Sequence, residues 1–405
     1  MKFIILGDIH IGKSTAIGKP GAGKGLNSRI QDQIDLLDWV LDTAVKNNVN
    51  HIFVTGDVYE DPKPHPTFIN LFMLWLKRCE KKGVYVDIIG GNHDILRTGS
   101  YTTSALDIVP SIEMDYACAY KEVTTINLDG VSVTLVPYRD RRMYEVETTE
   151  EALELLKKEM DVGLKQATND LKVCIGHLAA EGSISIGDEI DDELNEIFCP
   201  SDTFAGWDYT WLGHIHKPQV MHKYTDAEPY YVAHVGSMER SDFGKAEMNE
   251  DKIIILFDTE SKEKFTKIKL PNRNIYKIEI TVPEDKDTTD FIINHLCIFD
   301  KSKPLNEAIV KLEIQLSQDV LSVDREKVTS YLYKNLNVHY ICYFSESRII
   351  QNIISDKENI ISDDMSPEAS INAYWDNAKD LEDDDKEKCR AISLEINKQF
   401  EDSLD

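Results

Sequence analysis

"VYVDIIGGNHD", Val84 to Asp94, sets an apolar run against two glycines, an amide, an imidazole and a carboxylate. Alone it reads as a buried strand that ends in a turn, because Gly, Asn and Asp are ordinary turn residues. The same grammar returns along the chain. "FIILGD" ends at Asp8, "IFVTGD" at Asp57, "DIIGGN" at Asn92, "KVCIGH" at His177 and "YTWLGH" at His214. Their near-continuous apolar character suits strands buried on both faces. Between the first two, Ile30, Ile34, Leu37 and Leu41 mark one stripe of a helix, and a second helix is expected at about 67–81. This βαβαβ start predicts an α/β fold with a largely parallel, layered sheet.

Parallel α/β sheets gather ligands at the carboxyl ends of their strands. Five such ends in one sheet are expected to bring these side chains to one rim, each preceding glycine letting the backbone approach a bound ion. Two ends add a second ligand type at i+2, Asp8 with His10 and His214 with His216. In an extended chain i and i+2 share a side, so both members of each pair reach one centre. The full set is Asp8, His10, Asp57, Asn92, His177, His214 and His216. That exceeds one tetrahedral ion and suits two ions sharing a carboxylate. Mixed nitrogen and oxygen donors favour Mn²⁺, Fe or Zn²⁺ over Mg²⁺ or Ca²⁺. Two such ions roughly 3.5–4 Å apart can drive phosphoester hydrolysis. Each piece has a bland counterpart: "GNHD" as a turn, "GD" as a cap, a buried His as a hydrogen-bonded core residue. Five repeats of one grammar argue against the bland reading of all of them.

Composition sets the frame. A chain of 405 residues holds at least one full core and two or three domains. No apolar run approaches the ~20 residues that span a bilayer, and "MKFIIL" is too short for a signal peptide, so no membrane role is expected. Seven cysteines without CxxC spacing read as reduced thiols in a cytoplasmic compartment. The formal net charge of −27 should repel polyanions at long range.

Residues 1–270 form the α/β unit. The pattern breaks at "KLPNRN" (Lys269–Asn274), and 275–347 reads as a compact α+β domain in the order β-α-β-α-β, with helices near 288–297 and 324–336. The remainder, 348–405, is an acidic helical tail. One helix opens at Ser366-Pro367-Glu368, with Ile371, Tyr374, Trp375 and Ala378 on a face, and another carries Cys389, Ile392, Ile396 and Phe400.

With these motifs in place, the series "GDIH", "GD", "GNHD", "GH", "GHIH" resembles the calcineurin-type metallophosphoesterases. Within them the chain is similar to the SbcD-type double-strand-break repair nucleases, through "GLNSRIQDQIDLLDWVLDTAV" (Gly25–Val45) and "GSMERSDFG" (Gly236–Gly244). The resemblance implies a sheet sandwich flanked by helices, with a DNA-capping domain after it. It implies Asp8, His10 and His216 on one ion, Asn92, His177 and His214 on the other, and Asp57 as the bridge. It makes His93 the acid that assists the leaving oxygen, with Asp94 behind it as orienter. It further implies two divalent ions, most simply Mn²⁺, a homodimer, DNA as substrate and a coiled-coil, SbcC-like ATPase subunit docked on the C-terminal helices. Some members of the family carry His three residues after the bridging Asp, where this chain has Glu60, a departure that bears on the balance of exonuclease and endonuclease action. Two rivals stand beside this reading. One is a metallophosphoesterase of nucleotides or phosphoproteins. The other is a metal-poor regulatory scaffold for the ATPase.

Weaker signals remain. "GKPGAGKG" (Gly18–Gly25) imitates a phosphate-binding loop, but Gly25 stands where Ser or Thr is needed. It reads as a loop beside the metal site, touching DNA through Lys19 and Lys24. Arg139 and Arg141 in "YRDRR", with Arg97, Lys217 and Arg240, are candidate phosphate contacts. His51, His222, His234, His295 and His339 read as structural, and His65 as a loop residue.

Overall fold

The computed structural model describes residues 1–21, 25–98, 101–112, 114–185, 194–284, 286–317, 320–348, 366–377 and 383–401. The five ligand-bearing runs do become strands, but they divide between two sheets. The first sheet runs in the order Phe265–Lys269, Ile253–Asp258, Lys2–Leu6, His51–Val54, Tyr85–Ile89, Ala117–Tyr120. The last four are mutually parallel. The second runs Gln219–His222, Tyr231–His234, Tyr209–Leu212, Lys172–Gly176, Val131–Val136, Thr124–Leu128. Its middle four are parallel and its two edges antiparallel.

Strand alternation explains how the sheets pack. Phe3, Ile5, Phe53 and Ile89 point one way and meet Val133, Leu135, Val173, Ile175, Trp211 and Val235 of the second sheet. Ile4, Leu6, Ile52 and Val54 point the other way, onto Leu37, Val40, Leu41, Phe72, Trp75 and Leu76 of two helices. The outer face of the second sheet, Val136, Cys174, Leu212 and Val232, is covered by Ala152, Leu156 and Met160 of helix Thr149–Lys165. Each run therefore buries both faces between a sheet and a helix layer. That is why the runs are apolar throughout.

The helices begin where local chemistry allows. Asn27 accepts the Arg29 amide ahead of Ser28–Lys46, and Thr148 and Glu151 form a reciprocal cap ahead of Thr149–Lys165. His65 caps Pro66–Lys81 by accepting the Thr67 amide.

Beyond Leu270 a separate core forms. Ile275–Val282 pairs in parallel with Ile309–Leu316, Tyr340–Arg348 completes the three-stranded sheet, and helices Thr288–Ser302 and Arg325–Lys334 cover it. The first helix runs further than its sequence pattern reached. A chain of charges ties this part to the sandwich. Arg273 grips Asp32 at 2.8 Å on one side and Glu307 at 3.0 Å on the other. Asp32 also holds Arg29, which reaches Glu239 at 3.1 Å and the Arg240 carbonyl at 2.7 Å. The Arg29 side chain is fully buried, so this pairing is what makes its burial tolerable.

The chain divides into two compact units, Met1–Ser347 and Arg348–Asp405. In the second, helices Pro367–Asn377 and Asp383–Glu401 pack together, with Trp375 Nε1 donating to Ser393 Oγ at 3.2 Å. Tyr374, Ile392 and Ile396 stay exposed. Ala378 and the Phe400 side chain lie outside the described residues. All seven cysteines are free thiols. Among the described residues no helix is long and apolar enough to cross a membrane.

Arg273→Ala removes charged hydrogen bonds at the junction. It should lower stability by about 1–3 kcal/mol and expose residues 270–274 to limited proteolysis. Unchanged cleavage kinetics would show that the Asp32 and Glu307 contacts do not hold the junction.

Candidate metal centre

Asp8, Asp57 and Asn92 follow three adjacent strands of the first sheet, whereas His177 and His214 follow two adjacent strands of the second. The rim is thus shared by two facing sheets rather than drawn from one. The chain also turns sooner than an extended i, i+2 pattern would allow. His10, Asp57 and His214 sit at φ of 50°, 47° and 76°, in the left-handed region that non-glycine residues rarely adopt. Such strain costs of order 1–3 kcal/mol per residue and persists only where surroundings enforce it. Because of these turns His214 and His216 separate, each joining a different donor group.

The glycines act by making room for neighbouring ligands. A Cβ on Gly91 would lie 2.1 Å from Asp57 Oδ1, and one on Gly213 would lie 2.4 Å from Asp8 Oδ1. Any side chain there would push the ligand carboxylates apart.

Two groups carry the ligand-bearing strand ends, Asp8 with His10 and His216, and Asp57 with His177 and His214, and a third at the edge joins His10 to Glu60 and His93. In the first, His10 Nε2 and His216 Nε2 face each other at 2.9 Å. Asp8 Oδ1 accepts from Thr55 Oγ1 at 3.1 Å, while the buried Oδ2 has no protein partner among the described residues. In the second, His177 Nδ1 lies 2.7 Å from the Thr55 carbonyl, so that nitrogen carries the proton. Its Nε2 then faces Asn92 Oδ1 at 2.9 Å and Asp57 Oδ2 at 3.4 Å. His214 Nδ1 meets the same Asn92 oxygen at 3.0 Å. Asp57 Oδ2 also lies 3.5 Å from His10 Nε2, between the two groups.

This crowd of lone pairs demands positive charge. Burial works against the His177 imidazolium, yet Asp57 and then Asp8 push its pKa up to about 10. Burial also opposes ionisation of Asp57, but His177 and His10 hold its carboxyl well below the usual range. Asp8 is raised, chiefly by burial. His216 is held well below its ordinary value by burial, then by His10. Protons can supply part of the missing charge. Divalent cations supply it better, and the unpartnered Asp8 oxygen, the facing imidazole nitrogens and the shared Asn92 oxygen fit two of them. Four imidazoles among the donors favour Mn²⁺, Fe or Zn²⁺ chemistry over Mg²⁺ or Ca²⁺.

His93 stands at the edge of this cage, half-buried, its ring 4.9 Å from that of His10. Its amide donates to Asp57 Oδ1 at 2.9 Å, and its Nδ1 lies 2.9 Å from the Glu60 carbonyl. Burial lowers its pKa, but Asp57 and the Glu60 carbonyl raise it overall. Asp94 does not orient this ring. Its buried carboxylate accepts the amides of Val58, Tyr59 and Gly91 at 3.1–3.2 Å, bracing two of the ligand turns. Burial and Asp57 lift it to about 7. The orienting contact comes from the backbone of Glu60 instead.

Glu60 is more than a departure from a pattern. Its Oε2 lies 2.8 Å from His10 Nδ1 and 3.4 Å from Lys13 Nζ. A carboxylate behind a ligating histidine fixes the ring and raises its basicity. Glu196 stands likewise 3.4 Å behind His214 Nε2 and accepts the Tyr138 hydroxyl at 3.1 Å. Nothing in the local sequence marks Glu196, Lys13, Thr55 or Tyr138, because their roles depend on which strand ends meet.

The basic candidates fare worse. Arg139 is buried among Glu122, Glu159 and the carbonyls of Lys121 and Tyr138. Arg141 is held by Asn195 and two carbonyls, and Arg240 is buried on the carbonyls of Glu250 and Arg273. All three knit the protein to itself and are corrected from phosphate contacts to structural residues. Lys217 stands half-buried directly after His216. The Arg97 side chain and Lys24 lie outside the described residues, and the Lys19 backbone pairs with Ser28. His234, fully enclosed, bonds the Gly213 carbonyl.

The sequence profile of the calcineurin-like phosphoesterases matches residues 1–218. The SbcD subunit of the nuclease SbcCD from Escherichia coli (strain K12) is 23% identical over 228 residues, covering 48% of this chain and 53% of that protein. The chain thus spans about half the length of that relative. The same subunit from Staphylococcus epidermidis is 24% identical over 298 residues, covering 71% and 74%. DNA double-strand break repair protein Mre11 of Aeropyrum pernix is 21% identical over 356 residues, covering 84% and 80%. The profile takes in more than half of the residues and every ligand-bearing strand end, and the chain belongs to the calcineurin-like phosphoesterase family.

Proposed function

We propose that this chain is a dinuclear-metal DNA nuclease that hydrolyses phosphodiesters at DNA ends. The observation that carries the reading is the placement of the Asp57 carboxylate between two donor groups, with His93 beside them. Bound there, two divalent ions, Mn²⁺ in this reading, would acidify a water and neutralise phosphate charge. Asp8, His10 and His216 would hold one, Asn92, His177 and His214 the other, and Asp57 both. His93, fixed through Nδ1 by the Glu60 carbonyl, would present Nε2 to the leaving oxygen as its general acid.

DNA as substrate is supported by the relatives, whose names describe nuclease and double-strand-break repair proteins. Residues 275–347 would act as the DNA-capping domain and the chain as a homodimer in a cytoplasmic setting. The naming of the Escherichia coli relative as one subunit of SbcCD supports membership of a larger complex. We assign the helical pair 367–401, with Tyr374, Ile392 and Ile396 outward, to docking on a coiled-coil ATPase subunit. A basic partner would also offset the net charge of −27.

One observation favours a second reading. With Arg139 and Arg240 buried and Arg141 held by Asn195 and two carbonyls, these three offer little free positive charge to a polyanion, which suits a small phosphodiester or nucleotide. An assay of the purified chain on single- and double-stranded DNA ends, with and without Mn²⁺, separates the two. Metal-dependent cleavage of DNA is expected. Turnover of small phosphodiesters with intact DNA would install the second reading.

His93→Ala should retain both ions while losing about 10²–10⁴-fold in cleavage rate. Retained cleavage would remove His93 from the chemistry. Deleting residues 360–405 should leave Mn²⁺-dependent cleavage intact and abolish capture of the ATPase subunit. Undiminished capture would place that interface elsewhere.

A further inference from the structure

Among the described residues, Lys252 is the one lysine in the set of largest fully enclosed side chains, an unusual position for an ammonium group. Its Nζ lies 2.9 Å from Glu247 Oε2, itself enclosed, and 2.8 Å from Ser237 Oγ. The third contact is to the carbonyl of His216, at 3.2 Å. The same carbonyl accepts the Ser237 amide at 3.1 Å.

A core ion pair joining helix Lys245–Asn249 to strand Ile253–Asp258 would be the plain account. It explains the bond to Glu247, which also takes the Ser241 amide. It leaves the third contact over, because an apolar pair of similar volume would join helix and strand as well. What an apolar pair lacks is the second donor that the His216 carbonyl takes beside the Ser237 amide. This carbonyl belongs to a residue whose ring must meet both His10 and Asp8. The loop that carries Ser237 also returns to the cage, since the Met238 amide donates to the Asp8 carbonyl at 2.7 Å. Gly236, at φ 87°, leaves no room for a Cβ, which would sit 2.8 Å from the His216 carbonyl. Backbone crowding on one side and Lys252 on the other therefore fix the His216 peptide.

We propose that Lys252 is a positioning residue that sets the ligand His216 through its backbone carbonyl, and so selectively supports the ion held by Asp8, His10 and His216. This rests on the dinuclear reading above. It extends that reading to a residue that touches no ligand atom. Loss of a group that orients a metal ligand weakens metal binding by roughly 10–100-fold.

The test is Mn²⁺ titration calorimetry on the full chain, with thermal unfolding of the metal-free protein alongside. Lys252→Met leaves Glu247 buried and unpaired and should both destabilise the chain and weaken one of two Mn²⁺ sites by about 10–100-fold. The pair Lys252→Met with Glu247→Leu should regain thermal stability and keep the weakened site. If the pair restores wild-type binding, or weakens both sites alike, Lys252 serves only the core and the proposal falls. Wild-type protein that takes up fewer than two Mn²⁺ ions overturns the dinuclear reading and this one together. Two wild-type ions with unaltered variants overturn only this one.

Discussion

Lone pairs that cannot be left facing one another are the constraint on which the rest depends. Two carboxylates, an amide oxygen and four imidazoles are brought from five strand ends into a space largely closed to water. Without compensating charge this cluster should repel itself and relax. The protein instead spends backbone strain at His10, Asp57 and His214 to tighten it. The glycines at Gly91 and Gly213 remove the steric obstacle to closure. Strain, missing side chains and buried unpaired oxygen all act in one direction, toward a cage sized for cations.

The scaffold makes that closure possible by burying each strand twice. The strand leading to Asp8 presents Phe3 and Ile5 to the opposite sheet and Ile4 and Leu6 to the helices. It therefore cannot slip without exposing one set. Rigid strand ends then permit short, strained turns to be held in place. Around the cage the supports come in layers: Glu60 behind His10, Glu196 behind His214, the Thr55 carbonyl behind His177, and the Asp94 carboxylate gathering three amides of the ligand turns. The Arg29–Glu239 pair locks the first helix to the loop after Gly236, which touches the cage through Met238.

Much of this is legible in the residues. An apolar run that closes on Gly and a donor announces both a strand and its functional end, so all seven cage residues stand out along the chain. The division into two sheets does not, because a run buried on both faces looks the same in either sheet. The partition of His214 from His216 is hidden from spacing alone, and only the family resemblance implies it. It turns on a positive φ at a non-glycine residue, which period-2 reasoning excludes. Adjacency in sequence pairs Asp94 with His93, but the Asp94 carboxylate folds back to the amides of Val58 and Tyr59. Arg139 and Arg240 illustrate the general limit on reading charge. A guanidinium near a motif is equally suited to binding phosphate or to satisfying its own chain's carbonyls, and only burial separates the two. Glu60 runs the other way, since a residue that departs from a family pattern proves to be the partner of His10.

The acidity of the chain fits this picture once the charges are placed. Arg29, Arg139, Arg240 and Arg273 are consumed internally, so among the described residues attraction to a polyanion would draw on ions in the cage, on Lys217 beside His216, or on a partner. Hydrolysis therefore stands on the ions. Diffraction from crystals grown with Mn²⁺, recorded at the manganese absorption edge, tests their presence most directly. Two anomalous peaks, one on each side of the Asp57 carboxylate, are predicted. An empty cage, or a single peak away from Asp57, would contradict the dinuclear centre.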